Sequence, residues 1–498
     1  MASCLRNSLN FRPKQYDWGV SVKTKSIDQS GKSRLHKLAD LFLPAEQVPE
    51  RGSAPHGRGR ALPLFFVFWL LFGATTNVRN GRAYNLQQAG ADAIVVHHTF
   101  TLGLGDLPLL KPQGDIFSFA GKTLAAKQPG QFFWESVPYF ILHAWGLTYE
   151  KNYDLSSSLV TWLSTGLFAA AGLALLDRMM WQFWGFSPHG SLFATLSTGF
   201  GSFWFPYAGV AHHDVSAAAL LIGGLFAIEG NRFYSQGRNL KLAFAAGLQF
   251  GLVIFTSMLP ALIVAVIGIY VLATLPFRAA LWCGAGFLVG LLPLLAYNAH
   301  YFGSPFVQAN VAGNYHDTFW SPGWHLAETH LRTYFGRGGI SLSRFAPAEV
   351  LAFAGLFLLP RRLRYFFMAV VAVHILYLMN IQAQGGCEYG PRYLLPLLPL
   401  LAPGLAVLFD FHPIARPVII VLAVYGFFVS AVGALEGTMY CATTQFALWP
   451  QMVALRQAAP DDFPLRYISL LLVGVALMLW GCRQFLDRRA VVRAAGGL

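Results

Sequence analysis

Long apolar stretches recur from residue 61 almost to the C-terminus, separated by short polar segments. A helix that crosses a membrane needs about 20 mostly apolar residues, with a range of roughly 17–25. Stretches of this kind predict twelve spanning helices, within a range of 11–13, at 61–78, 156–176, 190–209, 213–229, 241–257, 259–276, 279–298, 346–360, 365–380, 393–409, 415–434 and 467–482. A further apolar segment, 132–147, is short and contains Glu135, Pro138 and His143. The pattern therefore predicts an all-α polytopic integral membrane protein.

The placement of basic residues orients these helices. Lys and Arg concentrate on the cytoplasmic side of membrane proteins. A cytoplasmic N-terminus and a non-spanning 132–147 place most short basic loops and the C-terminal arginines inside. The longer loops 79–155, 299–345, 381–392 and 435–466 then lie outside. We therefore expect 132–147 to be interfacial or re-entrant, and the long first outer loop to bear short interfacial helices.

Composition supports a membrane protein and excludes several other classes. Hydrophobic residues make up 55% of the 498 residues and charged residues 12%, whereas soluble proteins carry about 25% charged residues. A disordered chain, a disulfide scaffold and an ordinary soluble enzyme are thereby excluded. The net charge of +13 follows the positive-inside distribution, so no nucleic-acid partner is predicted. We divide the chain into a basic, disordered cytoplasmic tail (1–60), a main membrane module (61–410) and C-terminal helices with a short basic tail (411–498).

Residues able to do chemistry gather in the predicted outer loops. Asp115 in the first loop has the features of a general base, and Lys127, a dozen residues later, could bind phosphate. Arg337 lies in a glycine-rich segment that could present backbone N–H groups to a phosphate. Arg392, followed by Tyr393, stands at the mouth of a predicted helix and could clamp a lipid phosphate. For each of these residues, an ordinary solvated or interface-anchoring role stays open.

Two further features concern metals and cysteines. A predicted helix opens with His212, His213 and Asp214, which could bind a metal or a substrate hydroxyl. Alternatively, Asp214 could simply stabilise the N-terminus of the helix. The five cysteines form no metal-binding motif, so no metal or other cofactor is predicted, although a divalent ion stays open. Cys387 and Cys441 fall in two predicted outer loops, and a disulfide between them stays open.

Five short motifs follow one another between about Asn80 and Leu401. They are Asp115 with Lys127-Gln-Pro-Gly130, Trp204-Phe-Pro-Tyr207 with His212, Tyr297-Asn298 with Phe302-Gly-Ser-Pro305, Gly339-Ile340 with Pro347, and Gly386 with Tyr389-Gly-Pro-Arg-Tyr-Leu394. In sequence and in order they resemble motifs of the GT-C superfamily of bacterial membrane glycosyltransferases, which includes protein O-mannosyltransferases and lipid A aminoarabinose transferases.

The resemblance implies transfer of a sugar from a polyprenyl-phosphate donor to an acceptor hydroxyl at the periplasmic face of a bacterial inner membrane. The acceptor could be a glycan, a lipid or a protein. Asp115 would be the base, with Asp92 and Asp106 as substitutes. The residues implied in binding the substrate or the lipid phosphate are Lys127, Arg392, Tyr393, Arg337, His212 and Arg82. The embedding of the chain among membrane lipids agrees with a lipid-linked donor.

The chain also departs from the family pattern. Asn77-Val-Arg-Asn80 stands where many relatives carry an Asp-Glu pair, and Leu124-Ala-Ala126 replaces a Tyr-Ser-Asp sequence. A non-catalytic scaffold derived from the enzyme therefore stays an alternative. A transporter or flippase of a lipid-linked or small polar substrate is the other. The absence of two similar halves and the gathering of ionisable residues in loops favour the enzyme.

Overall fold

The computed structural model describes residues 60–103, 115–313, 324–336, 338–381, 388–411, 414–440, 445–475 and 477–478. These residues belong to one compact unit, Val48–Leu498. The predicted tail, Asp106, Arg337 and both cysteines of the proposed disulfide lie outside the described residues.

Helices form most of the described chain. In chain order they are α1 Ala61–Thr75, α2 Val78–Ala83, α3 Asn85–His97, α4 Gly130–Ala144, α5 Tyr153–Gln182, α6 Pro188–Phe200, α7 Trp204–Ala208, α8 His213–Ser235, α9 Leu240–Thr256, α10 Ala261–Thr274, α11 Phe277–Phe302, α12 Ala309–Ala312, α13 Trp324–Tyr334, α14 Leu342–Phe345, α15 Pro347–Leu356, α16 Arg361–Leu378, α17 Arg392–Phe411, α18 Ala415–Glu436, α19 Leu448–Leu455 and α20 Arg466–Val475.

The lengths and composition of these helices suit a membrane. Among the described residues, five helices are long and apolar enough to cross one: α5, α8, α11, α17 and α18. Shorter apolar helices are α1, α9, α10, α15 and α20. Each of the twelve predicted segments contains a helix, as far as the described residues extend, and the chain is an integral membrane protein. The number of crossings, about twelve, stays a prediction.

The all-α prediction needs one correction, in the long first loop. Besides the short helices α2 and α3, this loop contains an antiparallel hairpin of β1 (Ile116–Phe119) and β2 (Lys122–Ala125). Ala120 and Gly121 form the two-residue connection, and both have positive φ, 49° and 75°. Positive φ at both residues gives a two-residue turn that matches the right-handed twist of the strands. Glycine adopts this backbone conformation without steric cost.

Glycines allow α9 and α11 to pack closely. A Cβ at Gly247 of α9 would lie 1.8 Å from the carbonyl oxygen of Cys283, and one at Gly286 of α11 would lie 2.1 Å from that of Phe244. Small residues that let backbones approach are the usual means of helix association in membranes. The close contact between α9 and α11 fixes the position of the C-terminal end of α9. That end contacts two parts of the site described next.

Candidate functional site

The hairpin brings Asp115 and Lys127 together. Its register pairs Ile116 with Ala125, and the backbone N–H of Ala126 donates to the carbonyl of Asp115 at 2.7 Å. The residues that flank the hairpin are therefore neighbours, and Lys127 Nζ lies 2.9 Å from Asp115 Oδ2. We call these two residues the Asp115–Lys127 pair.

The Asp115–Lys127 pair is partly accessible. The Asp115 side chain is 50% exposed and that of Lys127 is 22% exposed. Partial burial alone would raise the pKa of the Asp115 carboxyl, but the ammonium of Lys127 outweighs it and holds that pKa below its usual range. Asp115 is therefore a carboxylate at neutral pH, and its charge is partly neutralised by one cation.

The start of α4 fixes the position of Lys127. Gly130 begins this helix against the end of α9, where a Cβ would lie 2.6 Å from the carbonyl oxygen of Phe255. Only a residue without a side chain permits that approach. Lys127, three residues earlier, is thereby held between the hairpin and the α4–α9 contact.

A second, buried group of residues surrounds Arg392. Its Nη1 lies 2.6 Å from Glu388 Oε1, and both side chains are 8% exposed. Glu388 Oε2 accepts hydrogen bonds from the hydroxyls of Tyr84, at 2.5 Å, and Tyr207, at 2.8 Å. Together with His212, these residues make up what we call the arginine cluster: Tyr84, Tyr207, His212, Glu388 and Arg392.

Local backbone explains how Glu388 and Arg392 meet. Gly390 between them has φ +78°, and the backbone N–H of Arg392 donates to its carbonyl at 2.9 Å. This turn places two side chains four residues apart on one side of the chain. Burial raises the pKa of the Glu388 carboxyl, although Arg392 and the two tyrosine hydroxyls lower it in part.

His212 joins the cluster from the N-terminus of α8. Its Nδ1 accepts the backbone N–H of Asp214 at 3.2 Å, and its Nε2 lies 3.2 Å from Arg392 Nη1. Burial, with nearby His213, Arg392 and Lys127, holds the pKa of His212 well below its usual range. A neutral imidazole accepts at one ring nitrogen and donates at the other, and the tautomer sets whether Nε2 accepts from Arg392 or faces it as a donor.

The Asp115–Lys127 pair and the arginine cluster lie within electrostatic reach of each other. Arg392 contributes to the lowered pKa of Asp115, and Lys127 contributes to the lowered pKa of His212. Segments far apart in sequence thus influence one another electrostatically, and each of the two cations, Lys127 and Arg392, is paired with a carboxylate.

The group His212, His213 and Asp214 also has the composition of a metal site. Their ligand atoms lie within 4.8 Å of one another. The Arg392 guanidinium, itself paired with Glu388, stands 3.2 Å from His212. Asp214 Oδ1 accepts the hydroxyl of Ser257, just beyond α9, at 2.8 Å. Asp214 therefore joins α8 to the residue that follows α9, and its role as a helix N-terminal acid stays a prediction.

The other predicted site residues lie in different surroundings. Tyr393 packs under Arg392, whose Cζ is 5.0 Å from the ring centre. Arg82 instead pairs with Asp154 at 3.0 Å, and both side chains are exposed. Asp92, the substitute base, is buried and accepts the Tyr139 hydroxyl at 2.9 Å. Of the predicted residues, the structure thus brings Asp115, Lys127, His212, Arg392 and Tyr393 to one region.

Sequence reasoning missed Glu388 and gave no role to Tyr84 and Tyr207. Tyr207 and Glu388 stand within matched motifs, whereas Tyr84 lies outside them, and Glu388 precedes Arg392 by four residues. The four-residue spacing between Glu388 and Arg392 was the one signal available in the sequence, because Tyr84 and Tyr207 are 304 and 181 residues distant from Glu388.

Two solved structures have a similar arrangement of helices. The chain is similar to the crystal structures of ArnT from Cupriavidus metallidurans in the apo state (TM-score 0.48) and bound to undecaprenyl phosphate (TM-score 0.43). In both, identity is 14%, over 84% of this chain and 75% of that chain. No protein-family model and no curated protein matches.

Proposed function

We propose that the protein transfers a sugar from a polyprenyl-phosphate donor to an acceptor hydroxyl at the periplasmic face of the membrane. The observation that carries the proposal is the meeting of a partly exposed Asp115–Lys127 pair with the buried arginine cluster. A carboxylate can take the acceptor proton, and fixed cations can stabilise the phosphate that leaves. The ordered motifs point to the same chemistry.

The two cations differ in how easily they can exchange partners. Partly exposed ion pairs contribute only about 0–1 kcal/mol, so an arriving phosphate displaces Asp115 from Lys127 at little cost. Arg392 is buried and held by Glu388. Lys127 is therefore the exchangeable phosphate ligand, and Arg392 with His212 forms the preformed part of the site.

Phosphate binding then prepares the base. Once Lys127 has turned to the phosphate, Asp115 loses the cation that lowers its pKa, and it becomes a stronger proton acceptor. The acceptor oxygen bonds to the anomeric carbon as the bond from that carbon to the phosphate oxygen breaks. The acceptor proton passes to Asp115, and the electron pair leaves with polyprenyl phosphate next to Lys127 and Arg392.

The first prediction concerns Lys127. We expect Lys127→Met to raise the KM for a radiolabelled polyprenyl-phosphate sugar about 10- to 100-fold, since a hydrogen bond to a charged group contributes about 1.5–3 kcal/mol. Transfer would be measured in membranes at matched expression. Lys122→Met is the control, because Lys122 is an exposed lysine on the same hairpin. An unchanged KM in the Lys127 variant would contradict this role.

The same assay separates the proposed enzyme from a flippase. A transferase releases polyprenyl phosphate and labels an acceptor, whereas a flippase leaves the labelled donor intact. Chromatography of the lipid extract measures both species. Recovery of only the intact donor, with every donor sugar tried, would contradict the proposed transfer.

The second prediction concerns pH. The fall of kcat/KM at low pH reports the pKa of the base in the free enzyme. The fall of kcat at low pH reports the pKa of the base in the donor complex. In the free enzyme Lys127 lowers the pKa of Asp115, so kcat/KM should persist below the ordinary titration range of an aspartate. In the complex this pKa rises, so kcat should fall at a higher pH than kcat/KM. Coincident limbs in detergent-solubilised protein would contradict the exchange of Lys127.

A further inference from the structure

Arg392 is the first residue of α17, where the helix is wound more tightly than an α-helix. Residues Arg392–Leu397 form a 3₁₀ helix, in which each carbonyl accepts from the N–H three residues later. The carbonyl of Tyr393 would therefore accept from residue 396. That residue is Pro396, which has no N–H. The main chain next to Arg392 thus lacks its usual 3₁₀ donor.

A histidine of the preceding helix supplies a donor for this carbonyl. His374 of α16 is fully buried, and its Nε2 lies 2.8 Å from the carbonyl oxygen of Tyr393. A carbonyl oxygen can only accept a hydrogen bond, so Nε2 carries the proton of the ring. Buried main-chain carbonyls are nearly always paired, and the proline at position 396 explains why the partner here is a side chain.

The backbone around Arg392 is held on both sides. On the N-terminal side, the N–H of Arg392 donates to the carbonyl of Gly390 at 2.9 Å. On the C-terminal side, His374 holds the carbonyl of Tyr393. The ring of Tyr393 lies under the guanidinium, with 5.0 Å between the ring centre and Arg392 Cζ. The hydrogen bond from His374 therefore fixes the segment from which both the ring and the guanidinium project.

The contacts of the guanidinium depend on this placement. Arg392 Nη1 lies 2.6 Å from Glu388 Oε1 and 3.2 Å from His212 Nε2. Hydrogen bonds weaken steeply once the distance and angle depart from their optimum. A small movement of the Arg392 backbone would therefore loosen the arginine cluster on the side where a phosphate is proposed to bind.

We propose that His374 is a positioning residue, which holds the Arg392 guanidinium in place for the lipid phosphate through the carbonyl of Tyr393. The proposal rests on the proposed function, which assigns the phosphate of the donor to Arg392. His374 acts through the main chain, and no proton or bond of the transfer step passes through it.

Binding of undecaprenyl phosphate to the detergent-solubilised full chain tests this role, with the uncharged alcohol undecaprenol as the reference lipid. Native mass spectrometry measures both. His374→Leu fills a similar volume but donates no hydrogen bond. We expect it to raise the Kd for undecaprenyl phosphate about tenfold and to leave the Kd for undecaprenol unchanged, because only the phosphate uses Arg392. His374→Gln, whose amide nitrogen reaches about as far as Nε2, should bind like wild type.

Pro396→Ala tests the main-chain route directly. Alanine has the N–H that proline lacks, so it can donate to the carbonyl of Tyr393 within the 3₁₀ helix. In the double variant His374→Leu with Pro396→Ala, the Kd for undecaprenyl phosphate should return towards the wild-type value. A role of His374 in filling space alone predicts no such recovery.

Asn231→Leu is the matched control. Asn231 is also fully buried, and its Nδ2 donates to a main-chain carbonyl, that of Asn239, at 2.9 Å. It stands about 27 Å along the helix axis from the start of α8, where His212 joins the arginine cluster. We expect this variant to lower the thermal unfolding temperature but to bind undecaprenyl phosphate like wild type.

His374→Asn replaces the leucine variant if that variant does not fold, which thermal unfolding would show. Its amide ends near the position of Nδ1 and is too short to reach the carbonyl of Tyr393, so we expect the same weakening. Wild-type affinity in the folded variant without the donor would overturn the inference. A loss that neither His374→Gln nor Pro396→Ala reverses, or an equal loss in Asn231→Leu, would also overturn it.

The same measurements separate this inference from the proposed function. Phosphate binding that depends on His374, in a protein that transfers no sugar, would overturn only the proposed function. Transfer and phosphate binding that both stay unchanged in His374→Leu would overturn only the role of His374. A wild-type protein that does not bind undecaprenyl phosphate would overturn both.

Discussion

Replacing Asp115 with asparagine should lower the rate of sugar transfer by about 10²- to 10⁴-fold, the usual contribution of a positioned general base. Asparagine keeps the shape of the side chain but cannot take the acceptor proton. The fold should be little affected, because the pair with Lys127 is partly exposed and contributes about 0–1 kcal/mol. Transfer of radiolabel from polyprenyl-phosphate donors in membranes, at equal expression, measures the effect.

Asp154→Asn is the matched control for that experiment. Asp154 is also a partly exposed carboxylate in an ion pair, with Arg82, and we expect this variant to transfer at close to the wild-type rate. Transfer that survives Asp115→Asn would exclude Asp115 as the base. Asp92, which is buried and bonded to Tyr139, would then be tested by the same substitution.

The sequence predicted the helices far better than the contacts between loops. A run of about 20 apolar residues has essentially one stable form in a bilayer, so α5, α8, α11, α17 and α18 could be located from hydrophobicity alone. The hairpin was missed because each strand has four residues. So short a strand has no pattern that separates it from an ordinary loop, and the closeness of Asp115 and Lys127 follows from its register.

The candidate site was predictable only where a motif marked it. Arg392 stands in a recognisable box of glycine, proline and tyrosine residues, whereas Glu388 occupies a position that the box leaves free. The role of Glu388 depends on hydroxyls from α7 and from the segment between α2 and α3. Such long-range contacts arise from helix packing, and periodicity and spacing in a single sequence do not reveal them.

In the proposed mechanism one cation is exchangeable and the other is fixed, and this division has a physical consequence. If Lys127 and Arg392 were both buried in ion pairs, an arriving phosphate would have to break two strong interactions. If both were free, two unpaired cations would be costly beside a membrane. Because each cation is paired with a carboxylate, the site is neutral when no donor is bound. Because one of the two pairs is partly exposed, that pair can open and its cation can bind the phosphate.

Removing Arg392 should have the largest effect on stability. Arg392→Met leaves Glu388 buried without its cation, and breaking a buried pair in this way costs about 3–5 kcal/mol. We expect a clear fall in the thermal unfolding temperature of the detergent-solubilised protein, together with loss of transfer. Arg178→Met is the control, because Arg178 is an exposed arginine whose side chain bonds only to Gln182 among the described hydrogen bonds.

The double variant Arg392→Met with Glu388→Gln separates the two roles of Arg392. The glutamine carries no charge, and its amide oxygen still accepts the hydroxyls of Tyr84 and Tyr207, so much of the lost stability should return. Transfer should not return, because the phosphate has lost its fixed cation. Recovery of both stability and transfer would show that Arg392 acts only in packing, and Lys127 would then remain as the cation for the leaving phosphate. A stable but inactive double variant would assign Arg392 to the anion site.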